Sequence, residues 1–501
     1  MTLLRPDTEN RFHAACTAVR SWLSLNQAVA VIMTVMCVLT QSDVVQADQP
    51  KARQSPRPNI VFILADDLGW TDVGCFGSRF YETPNIDRLA REGMRFTAAY
   101  SNGPNCAPTR ACLMSGQYTP RHGIYTVGSG SRGKPKFRKT VPVANKTVLP
   151  TRYVTPAEIL RKAGYATAHM GKWHLGSPPT EGPSEQGFDL NVAGGKRGSP
   201  ATYFSPYRNG QLKDGPKGEY LTDRLTDEAL TFIEANREGP FFLYLPHYAV
   251  HTPLQAKEEL IAKYRKKPSV KGHRNPVYAA MIQSLDESVG RILDKLDELK
   301  LTEQTVVVFT SDNGGLGGYA AAGIQGAKDV SSNAPLRGGK GMLYEGGIRV
   351  PQIVRWPNVA EPGSECAEPV VTLDFYPTLV EIAGGKLDPT QQLDGKSLLP
   401  LLKSGDKASL DRAAIYWHFP GYLEASAKRG TWRTTPAGAI RQGRYKLIEF
   451  FEDNHVELYD LQKDISERRN LAETNPAKRD ELYGKLLAWR KSVGAPVPVK
   501  K

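Results

Sequence analysis

The sequence predicts an α/β fold, in which one large sheet is sandwiched by helices and followed by a smaller C-terminal antiparallel sheet with a helix. Three observations predict it. Apolar runs without alternation recur at 59–64, 241–245 and 304–310, as expected for strands buried on both faces. Segments with helix start and stop signals separate them. After about residue 405 the strand-like runs shorten and alternate, the pattern of a half-exposed antiparallel sheet.

The elements follow in order. Asn59-Ile-Val-Phe-Ile-Leu64 is the first buried strand. Thr83-Pro84 opens a helix that ends at Gly93, with Thr as N-cap and Pro in the first turn. Thr155-Pro156-Ala157-Glu158 is a capping box, and Gly164 closes that helix. Strands follow at 165–170 and 241–245. Met281, Ile282, Leu285, Val289, Ile292, Leu293, Leu296 and Leu299 recur at helical spacing, which predicts a helix over 278–299. The strand at 304–310 comes next. Strands at 414–419, 445–451 and 457–459 and a helix at 476–492 make the second unit, and the last residues are expected to fray. This divides the chain into a catalytic domain over 48–405 and a C-terminal subdomain over 406–501.

Residues 1–47 read as a signal peptide. Arg5, Arg11 and Arg20 precede a run of 13 apolar residues, Ala28 to Thr40, and Val45-Gln46-Ala47 offers a small-residue cleavage site. The run is shorter than the roughly 20 residues that a membrane helix needs. An uncleaved anchor is the alternative. The mature chain then has no membrane span and is exported, periplasmic or secreted. At 40% hydrophobic and 23% charged residues the composition is that of a folded globular protein. A net charge of +13 favours anionic partners, but without a long basic run it does not indicate nucleic acid. Cys75, Cys106, Cys112 and Cys366 lie beyond the signal peptide. They form no CxxC zinc motif; a Cys75–Cys366 bridge is conceivable, and Cys112 reads as a buried helix residue.

Two acidic groups end two buried strands, Asp66-Asp67 and Asp312-Asn313. In a parallel α/β sheet both face the crevice at the strands' carboxyl ends. Three carboxylates and an amide oxygen form an all-oxygen set for a hard divalent cation, calcium or magnesium. Taken singly, such residues are also ordinary turn residues. Cys106-Ala-Pro108-Thr-Arg110 places a thiol immediately before an expected helix N-terminus, where free N–H groups favour anions.

These residues closely resemble the sulfatase family signature C-x-P-x-R. The resemblance continues in order through Ala65-Asp66-Asp67-Leu68-Gly69, Gly171-Lys-Trp-His-Leu-Gly176, His251-Thr252-Pro253, Ser311-Asp-Asn-Gly314, Arg337-Gly-Gly-Lys340 and Glu345-Gly-Gly-Ile-Arg-Val-Pro351. It ends at Glu457-Leu-Tyr-Asp-Leu461 and Asn470-Leu-Ala472, and so covers nearly the whole mature chain. It implies an alkaline-phosphatase-like mixed sheet and a Cys106 oxidised to formylglycine by a formylglycine-generating enzyme. It further implies a cation, Ca2+ or Mg2+, held by Asp66, Asp67, residue 106, Asp312 and Asn313. Arg110 would steady the modified residue, and Lys172 and Lys340 would neutralise the sulfate oxygens. His174 would take a proton from the hydrate, and His251 would serve the leaving oxygen. His122, in the Arg121-His122-Gly123 loop, is a further candidate for substrate contact; His169 and His247 read as structural. Thr109 stands where Ser is commoner, Ser115 where Thr is, and Gln117 where many relatives have Arg.

For the substrate, segments 176–220 and 314–336 are expected to form the rim, the second as a lid. The first carries Lys196, Arg197, Arg208, Tyr203, Phe204 and Tyr207, a set suited to a sulfated saccharide, and the basic balance favours a polyanionic sulfated polysaccharide over an aryl sulfate whose aryl group is neutral. A phosphate or phosphonate monoester hydrolase and a non-catalytic saccharide-binding relative are the competing functions. The signature at 106–110 carries a direct test: peptide mass analysis of active protein should show one sulfur and two hydrogens at residue 106 replaced by one oxygen. An unmodified thiol in fully active protein would refute it.

Overall fold

The structure is a computed structural model that describes residues 57–501; the expected signal peptide lies outside them. The large sheet is built from β1 (Asn59–Ala65), β2 (Met94–Phe96), β3 (Ala166–Met170), β4 (Leu190–Val192), β5 (Phe241–Pro246), β6 (Thr305–Ser311), β7 (Gln352–Arg355) and β8 (Glu365–Cys366). Its strand order is β8-β2-β7-β6-β1-β5-β3-β4. The strands from β6 to β4 run parallel. Strand β7 is antiparallel to both β6 and β2, so the sheet is mixed.

Apolar residues fill both faces. In β1, Val61, Ile63 and Ala65 join one core, while Ile60, Phe62 and Leu64 join the other. Strands β5 and β6 divide their side chains in the same way, which is why these runs do not alternate with polar residues. On the first face lie α1 (Pro84–Glu92), α2 (Leu221–Ala235) and α3 (Pro276–Glu298). Helix α3 starts where Asn275 accepts hydrogen bonds from the backbone of Val277 and Tyr278. The second face is covered by Cys106–Ser115, by Pro156–Lys162 with its Thr155–Glu158 capping box, and by Phe375–Ile382.

The second sheet has the strand order Ile415–Phe419, Ala437–Gln442, Tyr445–Phe450 and Val456–Asp460, all antiparallel. One face, with Ile440, Leu447 and Leu458, packs on Leu482 and Leu486 of the helix Pro476–Ser492. The other face, with Trp417, Ala439 and Ile448, shares a core with Tyr100, Leu343, Tyr344 and Ile348 of the first unit. The indole of Trp417 donates to the carbonyl of Ser101, 2.8 Å away. The C-terminal tail does not fray as expected: Val499 and Lys500 pair antiparallel with Thr140 and Val141.

A buried charge cluster joins the two units. Lys446 Nζ lies 3.0 Å from Glu345 Oε1 and 2.9 Å from Glu467 Oε1, and all three side chains are fully buried. Tyr100 donates to the second oxygen of Glu345, and Arg349 pairs with that same oxygen. Burial pushes Glu467 up to about 7, whereas Lys446, Arg349 and Arg441 overcome the burial of Glu345 and hold it down at about 2. Lys446→Met should therefore destabilise the fold by about 3–5 kcal/mol, the scale for stranding a buried charge. A lowered urea midpoint checks this.

Candidate active site

The parallel strands end at one edge, and the candidate residues follow those ends. Asp66 and Asp67 continue β1. The backbone N–H of Asp66 donates to Ala249 O, and Val250 N–H donates to Asp66 O, which carries β5 pairing past the strand and brings His251 beside the acids. Asp312 and Asn313 continue β6, where Asp312 N–H donates to Ala65 O. Lys172 and His174 follow β3. Gly171, at φ 127°, is required there, because a Cβ would lie 2.1 Å from the carbonyl of Pro246.

Asp67 and His174 have φ of 64° and 66°, the left-handed region that side-chain-bearing residues seldom adopt. Both strained residues face the cleft, and the surrounding contacts hold them there. Asp67 accepts from Asn313 Nδ2 (2.9 Å) and from Lys340 Nζ (2.8 Å). The ring of His174 lies against Gly198, where a Cβ would come within 2.4 Å of it.

Cys106 is the first residue of a ten-residue helix in which every residue is buried. Asn105 precedes it in extended conformation, and its amide donates to Thr126 Oγ1 at 2.9 Å. The sulfur of Cys106 and a carboxylate oxygen from each of Asp66 and Asp312 lie within 4.8 Å of one another. Arg110 is one helical turn further on. Its Nε is 2.8 Å from Asp312 Oδ2, and its Nη1 donates to the Lys172 carbonyl at 2.6 Å. Lys172 Nζ is 2.7 Å from Asp66 Oδ2, with both side chains fully buried. Lys340 is set by its own backbone N–H on Gly315 O and by Tyr319, whose hydroxyl donates to the Lys340 carbonyl at 2.8 Å.

The titrations follow from this crowding. Burial, then Asp312, drives Asp66 well above the usual carboxylate range. Burial acts on Asp67 in the same direction, but Lys340, His251 and Lys172 outweigh it and hold Asp67 ionised. Burial together with Lys340 pushes His251 down to about 3, and burial with Lys172 and Arg110 puts His174 well below the ordinary imidazole value. Burial raises the Cys106 thiol against the pull of Lys172 and Lys340, so the unmodified side chain is a protonated, poor nucleophile at neutral pH.

The acids fit a cation. Asp66 Oδ1 and Asn313 Oδ1 are buried and have no hydrogen-bond partner, although buried acceptors are almost always satisfied. Two orphaned oxygens beside further carboxylate oxygens suit a hard divalent ion. Asp66, Asp67 and His251 form a second possible donor group, with His251 Nε2 3.6 Å from Asp67 Oδ2.

The site opens into a cleft of about 430 Å³. Asp67, Cys106, His174, His251 and Lys340 line it, together with Asn105, Val127, Arg132, Ser199, Thr252, Leu316, Leu423 and Arg433. Asp66, Arg110, Lys172, Asp312 and Asn313 stand behind this lining.

Some expectations fail, while the readings of Cys112, His169 and His247 as buried structural residues hold. His122 is fully buried, 3.4 Å from the sulfur of Cys112, and does not line the cleft. Tyr203 and Tyr207 are core residues rather than stacking platforms, because their hydroxyls are committed to Tyr248 O and Glu219 Oε2. Phe204 packs on Tyr220. From segment 176–220 the cleft takes Gly198 and Ser199, and from 314–336 it takes Leu316. The latter loop is tied at both ends by Tyr319 and by Asn333, whose amide bonds three carbonyls. Cys75 and Cys366 are free thiols, and Cys112 is buried in its helix. His169 sits among Trp173, Phe188 and Tyr244, and His247 bonds Ser288. Gln117 turns away from Cys106 and donates to the carbonyl of Gln392. The sequence reading missed Arg132, Leu423 and Arg433. Arg132 lies in a Gly-rich stretch without periodicity, and the other two come from a hairpin some 300 residues further along the chain.

A buried carboxylate cluster that fits a cation, with Lys172, Lys340 and Arg110 paired to it beside a thiol at a helix N-terminus, at the carboxyl ends of a mostly parallel sheet, is an arrangement suited to a hydrolase of anionic esters. Comparison with known proteins makes the class specific. The sulfatase family matches residues 58–385, and the C-terminal domain described as that of N-sulphoglucosamine sulphohydrolase matches residues 339–490. A sulfatase of Formosa agariphila is 35% identical over 91% of this chain and 93% of its own. The steryl-sulfatase of Mus musculus is 31% identical over 90% and 84%. The crystal structure of Ps i-CgsB in complex with k-i-k-neocarrahexaose superimposes with a TM-score of 0.70 and 31% identity over 86% of this chain and 92% of that one. The chain belongs to the sulfatase family and is a sulfuric ester hydrolase.

The metal reading has a direct check. Asp312→Asn should weaken divalent-cation binding in equilibrium dialysis and lose activity while its far-UV circular dichroism stays native. Exhaustive chelation of the native protein should abolish turnover, and calcium should restore it.

Proposed function

We propose that this enzyme hydrolyses sulfate monoesters on a saccharide, with formylglycine at position 106 and calcium held by Asp66, Asp67, residue 106, Asp312 and Asn313. The observation that carries the proposal is the convergence of Cys106, which lines the cleft at a helix N-terminus, with Asp66 and Asp312 behind the cleft lining. Formylglycine supplies a hydrated aldehyde as nucleophile, and the cation supplies Lewis acidity. The raised thiol pKa supports this reading over a thiolate nucleophile.

The chain's own groups divide the remaining work. Arg110 binds Asp312 and the backbone of Lys172, so one guanidinium fixes the positions of a metal ligand and of a sulfate-facing lysine. Lys172 and Lys340 place two ammonium groups where charge develops on the sulfate oxygens. His174, neutral at physiological pH, is available as a proton acceptor. His251 donates Nδ1–H to the Thr252 carbonyl 2.7 Å away, which leaves Nε2 to face the cleft. A bound sulfate ester adds the negative charge that favours protonation there, as an acid for the leaving oxygen requires.

The polar lining supports a saccharide over a steroid: Asn105, Arg132, Ser199, Thr252 and Arg433 meet few large apolar side chains. Calcium is favoured over magnesium because every candidate ligand comes from the protein, whereas magnesium tends to keep several waters. Export follows from the N-terminal segment, and among the described residues no helix is long and apolar enough to cross a membrane.

Matched sulfate and phosphate esters test the reaction. Sulfate esters should turn over faster, with phosphate as a competitive inhibitor. Lys340→Ala should keep the metal and lose a factor of roughly 10²–10³ in turnover, the scale for one transition-state donor. Faster turnover of the phosphate ester by the native enzyme would refute the proposal.

A further inference from the structure

Among the described residues, two arginines on the cleft wall have no anionic partner. Arg132 and Arg433 both line the cleft that contains Cys106, His174, His251 and Lys340. The site's other cations are matched: Lys172 by Asp66, Lys340 by Asp67, and Arg110 by Asp312. Among the described residues, neither Arg132 nor Arg433 lies within 4.0 Å of a carboxylate. Arg132 spends one Nη2 donor on the carbonyl of Val127. Arg433 approaches the Tyr319 hydroxyl at 3.4 Å, and its guanidinium lies 4.9 Å from that ring's centre. Its Nε is buried with no hydrogen-bond partner.

The backbone that carries each arginine is held in place. Arg433 belongs to the hairpin Leu423–Ser426 and Thr431–Thr434, which the second unit extends to the cleft. The adjoining Trp432 fills the space over Gly133, next to Arg132, and stacks at a tilt on Tyr422. The same tryptophan therefore fixes both arginines' backbones. Tyr319, beneath the Arg433 guanidinium, also anchors the Lys340 carbonyl. Guanidinium forks of this kind match the two oxygens of a carboxylate or sulfate. Fixed, uncompensated cations beside the sulfate pocket call for a second anion on the ligand.

We propose that Arg132 and Arg433 form a second anion subsite, so that the preferred substrate is a saccharide bearing another sulfate or carboxylate besides the ester that is cleaved. This rests on the sulfatase reading above and adds a specificity that the reading does not require. The arginines are specificity-determining residues; the bond-breaking groups are those already described.

The test uses disaccharides offered in matched monosulfated and disulfated forms, and the corresponding uronate-containing disaccharides, with 4-nitrophenyl sulfate as the single-anion reference. The native enzyme should favour the doubly anionic member of the pair it accepts by about tenfold or more in kcat/KM, the scale of one charge-assisted hydrogen bond. The sulfate and uronate pairs show which second anion is preferred. Arg132→Gln and Arg433→Gln should bring that ratio toward one, mainly through KM, and Arg433→Lys should recover part of it. Thermal melting of each variant reports folding separately. Equal loss on singly and doubly anionic substrates, or no preference in the native enzyme, overturns the subsite. If the native enzyme with modified residue 106 cleaves neither 4-nitrophenyl sulfate nor any sugar sulfate, the sulfatase reading itself fails.

Discussion

The structure depends on burying three carboxylates side by side. Asp66, Asp67 and Asp312 are all without solvent exposure, and two of them leave the ends of adjacent parallel strands. Isolated charges in such a place would be prohibitively costly. The surroundings supply compensation from every side: Lys172 from β3, Arg110 from the helix that begins at Cys106, and Lys340 from the Gly-rich loop. Even so, Asp66 is driven toward its neutral form, and oxygens of Asp66 and Asn313 remain unsatisfied. A bound divalent cation would relieve both features. Its residual imbalance is therefore a statement of function as well as of stability.

That constraint explains the local backbone. A parallel sheet delivers its side chains to one edge only beyond the strand ends, where regular hydrogen bonding stops. Asp67 and His174 accept left-handed conformations there, and Gly171 permits the chain after β3 to pass against the carbonyl that ends β5. Thr109 takes over the role of a helix-start anchor by bonding Gly103 and Asn105, so its replacement of a commoner serine leaves the turn before Cys106 intact.

The second unit does more than cover the first. Glu345, in the segment after the lysine loop, is held by Lys446 of the second sheet, which also holds Glu467. Trp417 anchors to the carbonyl of Ser101, five residues before Cys106. The hairpin carrying Leu423 and Arg433 then completes the cleft wall. The second unit thus braces the segments that carry the site through its four-stranded sheet and lines the cleft through its hairpin.

Much of this is legible in the sequence because it is local. Unbroken apolar runs mark strands buried on both faces, Thr155 and Glu158 form the capping box that their spacing indicates, and the long α3 appears at helical periodicity. The acids directly after β1 and β6 are legible for the same reason: where a strand ends fixes where the next side chain goes. The sequence by itself determined the α/β class, the second sheet and the family to which the chain belongs. Only the tertiary structure decided that Tyr203 and Tyr207 face the core, that His122 is sealed against Cys112, and that the C-terminal residues pair with Thr140 and Val141. It also decided which arginines reach the cleft. The tail pairing and the hairpin's arrival at the cleft join segments hundreds of residues apart, and for the others no periodicity or short motif encodes the direction in which a loop side chain will point once its neighbours fold against it.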